Sequence, residues 1–161
     1  MSVWVVNTSP LIFLSHLGRL ELLRRQERAI CIPRAVAEEV AEKPDVAVQA
    51  VQDACAAWMQ IREVVDRTAV NVTQAALHQG EADVIVLAIE LQAEMLVMDD
   101  QDARRFATRC GLKTIGTLGI LLAAKQRGDI PSLRQEIESL RTLGFRANPR
   151  LVAAALQRAG E

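Results

Sequence analysis

The stretch Glu94 to Asp102, EMLVMDDQD, limits the possible folds more than any other. An apolar run, Met95 to Met98, breaks into three carboxylates, Asp99, Asp100 and Asp102, and then into the helix-forming segment ARRFATRCG. This is the pattern of a buried strand that releases acids at its carboxyl end. In an open α/β sheet, ligands bind in the crevice beyond those ends, because helix N-termini and strand ends converge there. An Asp at a helix N-cap also satisfies free N–H groups with no ligand present. The functional reading therefore depends on whether other segments aim carboxylates at the same place.

Several segments do so if the remaining pattern is read as alternating strands and helices. Val3 to Val6 is a β-rich run ending at Asn7, and Ser9 with Pro10 reads as a helix start. Leu11, Leu14 and Leu17 follow at helical spacing, with a short helix predicted over Leu20 to Arg25. A second strand, Ala29 to Ile32, stops at Pro33, and Arg34 to Glu42 reads as a helix. Of its adjacent acids Glu38 and Glu39, only one faces inward with Val36 and Val40, and the spacing favours Glu39. A helix over Asp45 to Met59 precedes a third strand, Ile61 to Val65. Asn71 to Gln79 reads as a helix ended by Gly80, and Glu81 to Gln92 as another that leads into the acid-tipped strand. Glu81 and Asp83 lie in its first turn, where negative charge suits the dipole of any helix. Beyond Ala103 to Cys110, a short strand around Lys113 to Ile115 precedes a helix from Gly116 and Thr117 to Arg127. Ser132 and Asn148 start the last two helices.

Five strands alternating with helices predict a parallel sheet covered on both faces. At 161 residues, half of them hydrophobic, the chain reads as one domain over 1–161, with helices 132–159 as a lid or a dimer surface. No apolar run approaches a membrane span, and no basic region precedes an apolar core at the N-terminus, so a cytoplasmic protein with no membrane partner is expected. Cys31, Cys55 and Cys110 are scattered and have no zinc-ligand spacing. Charge is unevenly placed. Residues 1–103 hold 8 of the 19 Lys and Arg and 16 of the 20 Asp and Glu, whereas residues 104–161 hold 11 and 4. Such a division suits mutual attraction of the halves, or a protein that holds a cation with one half and a polyanion with the other.

The order of a polar residue ending the first strand, a Glu after the second, an Asp opening a helix and an Asp cluster ending the fourth strand resembles the PIN-domain nucleases. The resemblance is carried by VVNTSPLI, IPRAVAEEV, GEADVIVLA and LVMDDQDAR and runs to about Ile130. With GTLGILLAAKQRGDI and TLGFR it looks nearest to a poorly characterised VapC-like toxin branch. It implies a three-layer α/β/α fold with a five-stranded parallel sheet of order 3-2-1-4-5. It places Asn7 where the first acid belongs, Glu39 at the second, Asp83 at the third and Asp100 at the fourth. Asp102 matches the auxiliary acid and Thr8 the supporting hydroxyl, with Glu81 and Asp99 beside the main positions. It further implies RNA hydrolysis and a small antitoxin partner; the apolar face of the terminal helices, Leu151, Val152, Ala155 and Leu156, makes a homodimer one option.

Carboxylates without histidine or thiolate form a hard-oxygen site suited to Mg²⁺ or Mn²⁺. The expected catalytic set is Glu39, Asp83 and Asp100, and the expected metal set Asp83, Asp100, Asn7 and Asp102. Asn7 departs from the family pattern, since its amide offers a neutral carbonyl and no charge. A weakened nuclease, or an RNA- or protein-binding module on the same fold, is the alternative. The basic half supplies Arg104, Arg105, Lys113 and Lys125 as expected RNA contacts, with an i,i+4 ion pair between Asp100 and Arg104 as the structural alternative. No GxGxxG or GxxxxGK[ST] is present. A haloacid-type phosphatase needs an Asp where Asn7 stands, and a receiver domain carries its paired acids after the first strand.

Overall fold

The computed structural model describes residues 1–161, leaving aside the side chain of Gln79. Strands β1 (Ser2–Val6), β2 (Arg28–Pro33), β3 (Met59–Arg62), β4 (Met95–Val97) and β5 (Thr114–Ile115) form one parallel sheet of order β3-β2-β1-β4-β5. Register is set by pairs such as Val5 with Cys31, Val6 with Val97 and Val97 with Ile115. The central strands are apolar on both faces: Val5, Val6, Ile32, Leu96 and Val97 are fully buried. That is the signature of a parallel strand sandwiched between helices.

The helices are α1 (Thr8–His16), α2 (Arg34–Glu42), α3 (Val46–Ala57), α4 (Arg67–Gln74), α5 (Gln79–Glu90), α6 (Gln101–Arg109), α7 (Thr117–Arg127), α8 (Leu133–Thr142) and α9 (Pro149–Arg158). The chain steps one way from β1 to β3 and the other way from β3 through β4 to β5. Helices α1 to α3 pack on one another, as do α4 and α5, and α2 also meets α5. The reversal lies between β1 and β4, and the crevice beyond their carboxyl ends is the expected ligand position. Helix α7 returns to pack on α1, and α8 and α9 pack on α7, one layer out from the sheet. The side chain of Glu161 fastens this outer layer by accepting from Ser132 Oγ at 2.8 Å and from the Leu133 N–H at 2.7 Å, at the start of α8. No helix among the described residues is long and apolar enough to cross a membrane.

Five boundaries differ from the sequence reading. Helix α1 begins at Thr8 with Asn7 as its N-cap, so Ser9 and Pro10 lie inside the first turn. The Leu20–Arg25 helix is a single 3-10 turn, Leu20–Leu23. Strand β3 starts at Met59 rather than Ile61, because Met59 pairs with Ile30 and Arg62 with Pro33, beyond which β2 offers no partner. Helix α4 starts at Arg67, capped by Asp66, whose side chain accepts from the Ala69 N–H. Gly80, read as a helix stop, instead lies in the first turn of α5.

Candidate active site

The N-terminus of α5 is the hub of the site, and Gly80 makes it accessible. A Cβ at Gly80 would stand 2.7 Å from Oε2 of Glu39, so the absent side chain is what lets the Glu39 carboxylate sit against the helix start. A carboxylate there is favoured by the free N–H groups and the dipole of the first turn. Its orientation is set from the other side by Thr8, whose hydroxyl donates to Glu39 Oε2 at 2.9 Å. Thr8 follows Asn7 at the end of β1 and is itself buried. The sheet end, α2 and α5 thus meet at a single carboxylate.

Asp83 is one helical turn from Gly80, on the same face of α5. Its side chain is 5% exposed, and Oδ2 accepts from Arg67 of α4 at 3.2 Å. Its other oxygen, Oδ1, is buried with no hydrogen-bond partner. A buried carboxylate oxygen without a donor is costly unless something else meets it.

Glu81, about 100° round the helix from Gly80, faces Asp100. Burial pushes its carboxyl above the usual range, and the charges of Asp100 and Glu39 push the same way. His78, through its charge and its backbone N–H, pulls it back. Asp100 ends β4 and caps α6, its Oδ1 accepting from the Ala103 N–H at 2.9 Å. Together with His78 and Asp102, Glu81 and Asp100 line a small pocket of about 320 Å³. Asp102 itself is 84% exposed and pairs with Arg105 at 3.2 Å.

Asn7 is 7% exposed, and its N–H donates to Val97 of β4, fixing it at the switch point between β1 and β4. Its amide makes no cap bond to α1. Asp99, next to Asp100, serves the sheet edge. Gly116 has no side chain to cap α7, so Asp99 does it across the strands: Oδ1 accepts from the Thr117 N–H at 2.7 Å and Oδ2 from the Thr117 hydroxyl at 2.8 Å, with Ser9 at 3.4 Å. Burial pushes the Asp99 carboxyl up, while Thr117, Ser9 and the Arg104 charge draw it down.

The structure therefore brings Thr8, Glu39, Glu81 and Asp100 around the start of α5, with Asp83 one turn in and Asn7 at the adjoining strand end. The expected basic residues are dispersed. Arg104 turns away from Asp100, its Nε donating to Thr114 Oγ1 at 3.2 Å, so the i,i+4 pair does not form. Arg105 is held by Asp102, and Lys113 is exposed just before β5. Lys125 belongs to the far end of α7, where its Nζ donates to the Pro131 carbonyl at 2.9 Å. Helix α7 leads away from the strand ends, which separates Lys125 from the acids. Ser9, Gly80 and Thr117 enter the sequence reading only as helix boundaries, and Arg67 does not enter it. Arg67 is 16 residues from Asp83 and carries no motif, whereas the glycine beside Glu81 was visible but read as a terminator.

The donor chemistry suits a hard divalent cation: the set is all oxygen, it is anionic, and one buried oxygen of Asp83 has no partner. Among the described residues, no three His, Cys, Asp or Glu side chains stand at ligand distance around one point. The match is thus in donor type and charge, and closure around an ion requires side-chain rotation.

The PIN-domain family matches residues 3–161 of the sequence. No curated protein matches it. Among solved structures, a chain of VapBC2 from Rickettsia felis, bound to a DNA fragment from its promoter, is similar at 16% identity and a TM-score of 0.49, over 71% of this chain and 98% of that one. A domain of a functionally unknown protein from Methanocaldococcus jannaschii is similar at 16% identity and a TM-score of 0.49, over 72% of this chain and 91% of that one.

Proposed function

Because the chain belongs to the PIN-domain family, we propose that it is a divalent-metal-dependent endoribonuclease and the toxin of a toxin–antitoxin pair. PIN-domain nucleases generally use divalent metals. The observation that carries the proposal is the acid cluster at the start of α5, where burial and the charges of Asp100 and Glu39 raise the cost of ionising Glu81, and Asp83 leaves a buried oxygen unpaired. Such a group of charges is unfavourable in the empty protein and favourable once a cation lies among them. Asp83, Asp100 and Glu81, with the neutral carbonyl of Asn7, would hold Mg²⁺ or Mn²⁺. When bound, the ion supplies a Lewis acid that polarises a phosphoryl oxygen and acidifies water.

The chain's own residues do the rest. Glu39, fixed by the Thr8 hydroxyl and by its seat on Gly80, is the candidate to accept a proton from the attacking water. Arg104, Arg105 and Lys113 offer contacts to the RNA backbone that offset its repulsion by the carboxylates. The similarity of the sequence motifs to VapC-like proteins extends the proposal to a small antitoxin as partner.

The test is cleavage of an end-labelled single-stranded RNA in Mg²⁺ or Mn²⁺, with products carrying 5′-phosphate and 3′-hydroxyl ends. Asp100→Asn and Glu81→Gln should each reduce the rate by about 100-fold or more, the scale on which loss of one charge-stabilising group acts. Unchanged rates in both variants would reject this site. A second reading, a binding module with a weakened centre, is favoured by the buried neutral Asn7 at the first-acid position. Asn7→Asp restores one anionic ligand, and charge count tunes the affinity of hard cations. Titration calorimetry should show tighter Mn²⁺ binding by Asn7→Asp than by the wild type; equal affinity would place residue 7 outside the metal's reach.

A further inference from the structure

Beside the acid cluster, on the open edge of the sheet, lies a groove of about 580 Å³. Its sides are β5, the start of α7, and the segment from Phe145 that leads into α9. Ile115, Leu118, Leu122, Phe145 and Leu151 make an apolar floor. Helix α9 contributes Leu151, Ala154, Ala155 and Arg158, an i, i+3, i+4, i+7 stripe along one face. Leu151 is 50% exposed on that stripe, so the chain leaves apolar surface open there. The floor is low because α7 approaches β5 closely: a Cβ on Gly119 would stand 2.6 Å from Ile115 Cγ1.

Three guanidinium groups surround this floor, Arg104 from α6, Arg146 from the loop and Arg158 from α9. None of them forms a salt bridge among the described residues, although Arg19, Arg25, Arg67, Arg105 and Arg127 all do. The acid that lines the groove, Asp99, already accepts from Thr117 and Ser9. Arg104 offsets the charge of Asp99, and Arg146 and Arg158 leave the groove a net positive charge around its aliphatic base.

We propose that this groove docks a short segment of a partner protein in which aliphatic side chains are flanked by carboxylates. The unpaired arginines set the sign of the ligand, and the floor sets its class. RNA would satisfy the arginines but not the floor, because unpaired bases gain affinity by stacking on aromatic faces. The one aromatic ring here, Phe145, is already packed edge-to-face on Phe13 at 5.1 Å. The volume is within the range that takes a few side chains rather than a whole interface. Its inner end is formed by Asp99 and Arg104. The docking inference itself does not depend on the nuclease reading.

A phage-displayed library of random dodecapeptides, selected against the full chain, tests it without metal or RNA. Selected sequences should be enriched in Asp and Glu together with Leu, Ile and Val. Synthesised and followed by fluorescence anisotropy, they should bind the Arg146→Glu/Arg158→Glu double variant and Leu151→Asp about tenfold or more weakly than the wild type, a loss of about 1.4 kcal/mol. All three positions are exposed, and circular dichroism checks that the variants fold. Selection without an acidic and aliphatic consensus would overturn the proposal, as would peptides that bind the variants and the wild type alike. Loss of oligouridylate binding in the double variant, with no peptide consensus, would overturn it in favour of a nucleic-acid tract.

Discussion

At Gly80 two effects of adding a methyl group oppose one another. Alanine favours a helix over glycine by about 1 kcal/mol. The new Cβ would meet Glu39 Oε2 at 2.7 Å, and the flexible carboxylate would move, breaking its bond to Thr8 at a cost of about 1 kcal/mol. Gly80→Ala should therefore leave the urea midpoint nearly unchanged while RNA cleavage falls sharply; full cleavage in that variant would remove Glu39 from the site. Asp99 gives a pH-dependent case. Its folded-state pKa is raised, so its contribution to stability is greatest below the ordinary carboxylate range and is lost as pH rises through the folded value. Asp99→Asn keeps an acceptor for the Thr117 N–H but removes the charge. Urea denaturation at about pH 4 and about pH 7 should show the variant gaining on the wild type at the higher pH; a constant difference would mean that Asp99 ionises without penalty. The sequence shows the acids at 99 and 100 equally plainly, yet only the structure separates a cap for α7 from a cap for α6. That division depends on Gly116 lacking a side chain and on β5 lying beside β4, neither of which is local to the two acids.

The elements were legible where periodicity and caps coincide. Helices α8 and α9 begin where Ser132 and Asn148 predict, with side chains that accept from the Gln135 and Arg150 N–H groups. The sheet order expected from the family resemblance is the observed one. Helix α4 starts at Arg67 rather than the expected Asn71 because its stabilisation is tertiary: Val70 packs against Ala82 and Val86 of α5, and that contact has no sequence signature. The same packing carries Arg67 to Asp83. Arg67→Ala would leave a nearly buried carboxylate with no partner on either oxygen. Loss of one partner from a fully buried pair costs about 3 to 5 kcal/mol. Arg67 is 53% exposed, so water screens part of that, and a loss of about 1 to 3 kcal/mol is expected. If a divalent cation meets Asp83, saturating Mn²⁺ should raise the melting temperature of Arg67→Ala by more than that of the wild type, since ion binding to the folded state then also relieves the unpaired charge. Equal shifts in both proteins would place the ion out of reach of Asp83.

Across the whole molecule, the opposite charges of residues 1–103 and 104–161 do not form two poles. Arg19 of the first half meets Glu136 of the second at 2.6 Å, and Arg25 meets Asp129 at 2.8 Å; these pairs join the halves through the minority charge of each, so the excess acids of the first and excess bases of the second stay available. What matters for RNA is position along the sheet axis. An 11-residue helix spans about 16 Å, and α7 places Lys125 near its distant end, bound to Pro131. Arg104 is near the strand ends, beside Asp99 and Gly116. A backbone crossing the acid cluster should therefore touch Arg104 and miss Lys125. RNA affinity measured against salt, in Ca²⁺ to limit turnover, separates the two. Arg104→Ala should weaken binding and reduce the magnitude of the salt slope by about 0.7, the value for one phosphate contact on a single strand, whereas Lys125→Ala should change neither. An effect at Lys125 would mean that RNA follows the length of α7. No effect at Arg104 would assign that side chain to Thr114 and the sheet edge, leaving Arg105 and Lys113 as the cations to test next.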